Sequence, residues 1–142
     1  MTESDIQMQV ADYLRLQYPD VIFHSDFGSG IKLSMGQARK QKRLNGGRRS
    51  YPDIFIAEPK LVQTKDGMPF AWHGLFIELK KDGTRILKKD GTYVADEHIR
   101  EQAKMLQALQ RRGYQAYFAV GFEQAKEIID KYLGRRAKKQ EF

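Results

Sequence analysis

The segment "HGLFIELK" (residues 73–80) restricts this chain more than any other. It is an apolar run of strand length, yet Glu78 and Lys80 interrupt it two residues apart. Side chains alternate along a strand, so Glu78 and Lys80 share one face while Ile77 and Leu79 share the other. An earlier strand-like run, "DIFIAE" (53–58), opens on Asp53 directly after Pro52. The turn signal "KDGM" (65–68) lies between the two runs, so they are expected to pair antiparallel as a hairpin.

The remaining elements follow from periodicity. Residues 2–18 read as a helix, with Ile6, Val10, Tyr13 and Leu14 at helical spacing, a capping-box pattern at Ser4–Gln7 and Pro19 as its stop. "DVIFHSDF" (20–27) is strand-like and runs into Gly28 and Gly30. Residues 31–50 show weak periodicity and glycines at 36, 46 and 47, which reads as a long loop with room for one helical turn near 36–44. Two copies of "KKDGT" (80–84 and 88–92) mark local turns. Residues 96–113 form the clearest helix, with Ile99, Ala103, Leu106 and Leu109 on one stripe and a stop at Gly113. A strand at 114–120 and an amphipathic helix at 122–134 complete the order α-β-β-β-α-β-α. A hairpin followed by a helix crossing to a further strand implies an α/β fold with a mixed central sheet flanked by helices.

The chain has 142 residues, enough for one domain with its own core. We assign residues 1–134 to that domain, with the segment 31–50 inserted, and 135–142 to a basic C-terminal tail. There is no cysteine, which excludes disulfides and thiolate zinc sites and suits a reducing cytoplasm. The N-terminus has neither the basic nor the apolar region of a signal peptide, and no apolar run approaches the roughly 18 residues that span a bilayer. A cytoplasmic protein with no membrane partner is expected, in a bacterium or a phage-infected host cell.

Charge points to a partner. The net charge is +7, and the stretch from Lys32 to Arg49 holds seven basic residues (Lys32, Arg39, Lys40, Lys42, Arg43, Arg48 and Arg49) and no acid. A second basic cluster, Arg135, Arg136, Lys138 and Lys139, closes the chain. A polyanion is favoured, nucleic acid above all. No G-x-x-x-x-G-K-[ST] occurs, so no nucleotide cofactor is expected. His24, His73 and His98 stand apart without metal-ligand spacing and read as surface or packing residues.

Taken singly, Asp53 is a turn residue after a proline and Glu78 with Lys80 a solvated strand face. The hairpin changes that reading, because it brings Asp53 close to Glu78 and Lys80. Two converging carboxylates repel unless a proton or cation lies between them. With no thiol or histidine cluster, hard oxygen donors suit Mg²⁺ or Mn²⁺. Gln102 shares the apolar stripe of the 96–113 helix, and Glu3 lies three residues before Ile6 on the inward side of the first.

The ordered set "Pro52-Asp53 … Glu78-Leu79-Lys80", with Glu3 on a preceding helix and Gln102 on a following one, resembles the PD-(D/E)XK nuclease superfamily. More narrowly it is similar to a stand-alone VRR-NUC domain of the phage and bacterial type, over residues 2–133. "GLFIELK", "EQAKMLQALQRRGYQAYFAVG" and "AKEIIDKYL" carry the likeness. The resemblance implies a restriction-endonuclease-like core. It also implies that Asp53, Glu78 and the Leu79 carbonyl bind metal, with Glu3 (or its neighbour Asp5) bound directly or through water. Lys80 would orient water or stabilise the phosphate, and Gln102 would brace the site. Ser50-Tyr51 stands where many relatives have Gly-His or a similar pair, and the excursion 81–95 is long. Tyr51 reads either as a base-stacking or as a packing residue.

The implied activity is a divalent-metal-dependent DNA endonuclease, acting as a homodimer on branched DNA such as four-way (Holliday) junctions. Flaps and nicked duplexes are alternative substrates. The alternative in another class is a non-catalytic, basic nucleic-acid-binding module with a structural acidic pocket.

Overall fold

The computed structural model describes residues 1–27 and 32–134. In chain order the elements are α1 (Glu3–Gln17), β1 (Phe23–Ser25), α2 (Met35–Leu44), β2 (Ile54–Ile56), β3 (Lys60–Gln63), β4 (Pro69–Trp72), β5 (Leu75–Lys80), α3 (Glu97–Gln110), β6 (Gln115–Val120) and α4 (Gly121–Leu133). Four strands form one sheet in the order β1-β2-β5-β6. β1 with β2 and β2 with β5 are antiparallel, whereas β5 and β6 are parallel. The sheet is therefore mixed, as expected. α3 makes the crossover that a parallel pair requires.

Each face of the sheet has its own helical cover. Ile77 and Leu79 of β5, with Ile54 and Ile56 of β2, pack against Ile6, Val10 and Leu14 of α1 and Ala125 and Ile129 of α4. On the opposite face Phe76 of β5 packs with Leu106 of α3 and Ala116 of β6. Alternation then sends Glu78 and Lys80 to the α3 side. Every residue of β5 is buried, charged ones included. Among the described residues no helix is long and apolar enough to cross a membrane.

Three expectations are corrected. The strands 53–58 and 73–80 do pair antiparallel, but not through a simple hairpin. "KDGM" instead turns a separate hairpin, β3 with β4, in which Lys60 faces Trp72 and Gln63 faces Pro69. Thr64 N donates to Met68 O at 3.1 Å across that turn. The flanking runs are too short and too exposed to show clear alternation. Second, the basic segment contains a ten-residue helix, α2, rather than one turn. It buries no residue, so it has no apolar period to read. Its start is a capping box, Ser34 with Gln37. Third, the cap of α1 is Thr2 with Asp5, two residues ahead of the expected position. Asp5 returns its carboxylate to Thr2 N at 2.9 Å while Thr2 Oγ1 accepts from Asp5 N at 3.1 Å.

The two "KKDGT" copies are local turns, the second closed by an isolated bridge between Leu87 and Tyr93. Gly28, Gly30, and the basic tail 135–142 with Arg135, Arg136, Lys138 and Lys139 lie outside the described residues.

Candidate active site

The register between β2 and β5 decides where the carboxylates meet. Ile54 faces Ile77, so one step further along the antiparallel pair puts Asp53 across from Glu78, on the α3 face. The backbone holds Asp53 from two sides. Its carbonyl accepts from Asp26 N at 2.9 Å, beyond the end of β1. Its side-chain Oδ2 accepts from Leu79 N at 2.7 Å, on the neighbouring strand. A carboxylate tied to a strand amide in this way has one oxygen committed and a fixed orientation for the other.

Glu78 is 4% exposed and Asp53 8%. Burial pushes the Glu78 carboxyl up to about 10, helped by the Asp53 charge and a hydrogen bond to Asp53, with Glu3 adding a smaller push; Lys80 acts in the opposite direction. In the metal-free chain Glu78 therefore holds a proton at neutral pH, which relieves the repulsion between the pair. From α3, Gln102 Nε2 donates to Glu78 Oε2 at 3.0 Å and lies 3.2 Å from His98 Nε2. Gln102 Oε1 is buried without a hydrogen-bond partner among the described residues.

These groups floor a cavity of about 600 Å³ whose walls include Glu3, Asp26, His98 and Tyr51, and the basic residues Arg39, Lys42, Arg48 and Arg49. An acidic floor under a basic wall can hold a cation below and a polyanion above. α2 stands beside the cavity, fastened by Gln41 Nε2, which donates to Asp26 Oδ2 at 3.2 Å.

The expected residues take different places. Asp53, Glu78, Gln102 and Glu3 come together at the cavity. Asp5, the rival of Glu3, is spent as a helix cap. Leu79 contributes its amide to Asp53 while its side chain is buried in the α1–α4 layer. Lys80 is buried at the end of β5 and acts on Glu78 electrostatically, without lining the cavity. Of the basic set, Arg39, Lys42, Arg48 and Arg49 line the wall; Lys32, Lys40 and Arg43 are exposed outside it.

Sequence reasoning missed His98, Asp26 and Gln7. His98 was readable as the i,i+4 neighbour of Gln102 on one helix. Gln7 is buried and donates to Ser25 Oγ at 2.6 Å and Asp26 O at 2.7 Å, tying α1 to the end of β1. Nothing local distinguished Asp26, which reaches the site through strand pairing.

The donor set fits a hard divalent cation. Burial, and after it the Asp53 charge, pushes the Glu78 carboxyl up, and a cation between the two carboxylates would take the place of its proton. Among the described residues no three His, Asp or Glu side chains converge to hold an ion by themselves. The side chains would thus supply two carboxylates, the habit of Mg²⁺ sites completed by water and phosphate.

Neither a protein-family model nor a curated protein matches the chain. The solved structure of a "VRR_NUC domain protein" does, with a TM-score of 0.60 and 24% identity over 94% of this chain and 89% of that one. The likeness extends to the fold as a whole: a restriction-endonuclease-like core, its mixed sheet flanked by helices.

Proposed function

We propose that this chain is a divalent-metal-dependent DNA endonuclease, acting as a homodimer on branched DNA such as four-way junctions. The observation that carries the reading is the pairing of Asp53 with Glu78, buried side by side and braced by Leu79 N and Gln102. The basic wall above them supports DNA as the substrate, and the fold shared with a VRR_NUC domain protein supports nuclease chemistry.

Asp53, Glu78 and the Leu79 carbonyl would hold Mg²⁺ or Mn²⁺, with Glu3 acting through water. When bound, the ion supplies a lowered pKa for water and charge neutralisation at the phosphate. The chain's own residues do the rest. The strand amide of Leu79 fixes Asp53, and Gln102 fixes Glu78, so neither carboxylate has to reorganise as charge builds. Gln102 Oε1 is buried and has no hydrogen-bond donor among the described residues, so the amide is held at the site through its Nε2 contacts with Glu78 and His98. Lys80 contributes a fixed positive charge under the site. Arg39, Lys42, Arg48 and Arg49 hold phosphates without regard to sequence. A two-fold dimer would present two such sites to two strands.

The non-catalytic alternative makes the acidic pocket structural, but two carboxylates buried together cost stability that apolar residues in their place would not. Cleavage of a labelled four-way junction in Mg²⁺ and Mn²⁺ tests the proposal. Paired symmetric cuts that EDTA abolishes are expected; salt-sensitive binding without cleavage in either metal would favour the alternative.

A further inference from the structure

We propose that Tyr51 is a base-stacking residue, and that the nucleotide beside the cleaved phosphate must therefore be unpaired or at a helix end. The inference rests on the nuclease reading above and adds a requirement to it.

The backbone around Tyr51 is set from both sides. Pro52 is fully buried, and a residue before proline is restricted to extended conformations. Ser50 has φ +63°, and among the described residues it is the only non-glycine with positive φ. A serine in this region carries a cost that glycine avoids, and such cost concentrates where a site over-determines the backbone. Ser50 and Tyr51 both line the cavity that holds Asp53 and Glu78.

The ring itself is supported but not covered. It meets buried Phe76 edge-to-face at 5.6 Å and 83°, and Phe76 in turn stacks on Phe55 at 4.5 Å and touches Tyr114 at 5.2 Å. From this aromatic base Tyr51 remains 41% exposed. Among the described residues its support is the edge-to-face contact with Phe76. A rigid, half-exposed aromatic beside a basic wall has the composition of a single-strand platform: cations for the backbone and a π surface for a base.

Distance limits which base it meets. Tyr51 lies two residues before Asp53, at most about 7 Å of extended backbone. A base stacked on it belongs to the nucleotide at, or next to, the phosphate over the carboxylates. Inside a continuous duplex both faces of every base are already covered, so only an unpaired or terminal base can use the ring.

The test has two arms. Cleavage is compared on a paired duplex and on the same sequence with unpaired nucleotides at the cut position, for wild type, Tyr51→Phe, Tyr51→Leu and Asp53→Asn. Tyr51→Leu keeps an apolar contact with Phe76 but loses the π face; Tyr51→Phe keeps both. Preference for the unpaired substrate should survive in Tyr51→Phe and fall about tenfold to a hundredfold in Tyr51→Leu. In the second arm, 2-aminopurine at that position is followed in EDTA, where no cleavage is required. Quenching by wild type and Tyr51→Phe but not Tyr51→Leu is expected. Equal preference and equal quenching in Tyr51→Leu would overturn the stacking role while leaving the nuclease intact. Tyrosine-dependent quenching without cleavage in any metal would overturn the nuclease reading and leave the stacking role.

Discussion

Leu79 N donates to Asp53 Oδ2 at 2.7 Å, joining the backbone of one strand to the carboxylate that precedes its neighbour. The bond makes the position of Asp53 a property of the sheet rather than of a flexible side chain. Charge alone should then not suffice at this position. Asp53→Glu retains the carboxylate but is one methylene too long to keep the bond, and misplacement of about 1 Å can cost about a hundredfold. The expected result is a loss of kcat of at least that order in Mg²⁺, measured at saturating DNA on a variant whose Tm shows it to be folded.

Glu78 gives a pH signature in the metal-free protein. Its carboxyl is raised from 4.5 to about 10 by burial and by Asp53. Between those values the folded chain keeps a proton that the unfolded chain has released, so this group's contribution to stability is present below 4.5 and is lost as pH rises toward about 10. Glu78→Gln removes the titration. In EDTA the Tm of wild type should fall more steeply across that window than the Tm of Glu78→Gln, and the variant should be the more stable at its alkaline end. Parallel curves would show that Glu78 is not held protonated.

The same proton links metal binding to pH. A cation that replaces it must expel it, so affinity for Mg²⁺ or Mn²⁺ should rise with pH, and calorimetric titrations in buffers of different ionisation enthalpy should register proton release. No buffer dependence would contradict a cation at Glu78.

Gln102 braces Glu78 at 3.0 Å and contacts His98 at 3.2 Å. Gln102→Leu keeps the packing of α3 and removes both contacts. Metal affinity and kcat should each fall about tenfold to a hundredfold, the usual cost of losing a partner that orients a ligand. The KM for DNA should change little, because the basic wall is untouched.

That wall has its own readout. Arg39→Ala and Lys42→Ala should each weaken binding on every DNA sequence and reduce the slope of log K against log salt by about one. Lys32→Ala, exposed and outside the wall, should have a smaller effect. Equal slopes for all three would place the DNA elsewhere.

Much of this arrangement was legible from the sequence, and what was not has physical reasons. Asp53, Glu78 and Gln102 could be found because each breaks an apolar pattern that is otherwise regular: a carboxylate opening a strand, an acid inside a buried run, an amide on a core stripe. α2 and the β3–β4 hairpin were hidden because neither buries a regular face; among the described residues α2 is started by its Ser34–Gln37 cap and held to Asp26 through Gln41. Asp26 and His98 reach the cavity by strand register and helix position, which periodicity does not display as chemistry. The cap of α1 was misplaced because Thr2–Asp5 and Ser4–Gln7 both have the required form, and the choice between them freed Glu3 rather than Asp5 for the site.

The most direct measurement is cleavage of a labelled four-way junction and a matched linear duplex by wild type and Asp53→Asn, in Mg²⁺, Mn²⁺ or EDTA. Asp53→Asn preserves shape and an oxygen for Leu79 N while removing the charge. Metal-dependent cleavage by wild type is expected, abolished by EDTA and lost in the variant, with salt-sensitive DNA binding retained. Cleavage that persists in Asp53→Asn, or binding by wild type with no cleavage in either metal, would contradict it.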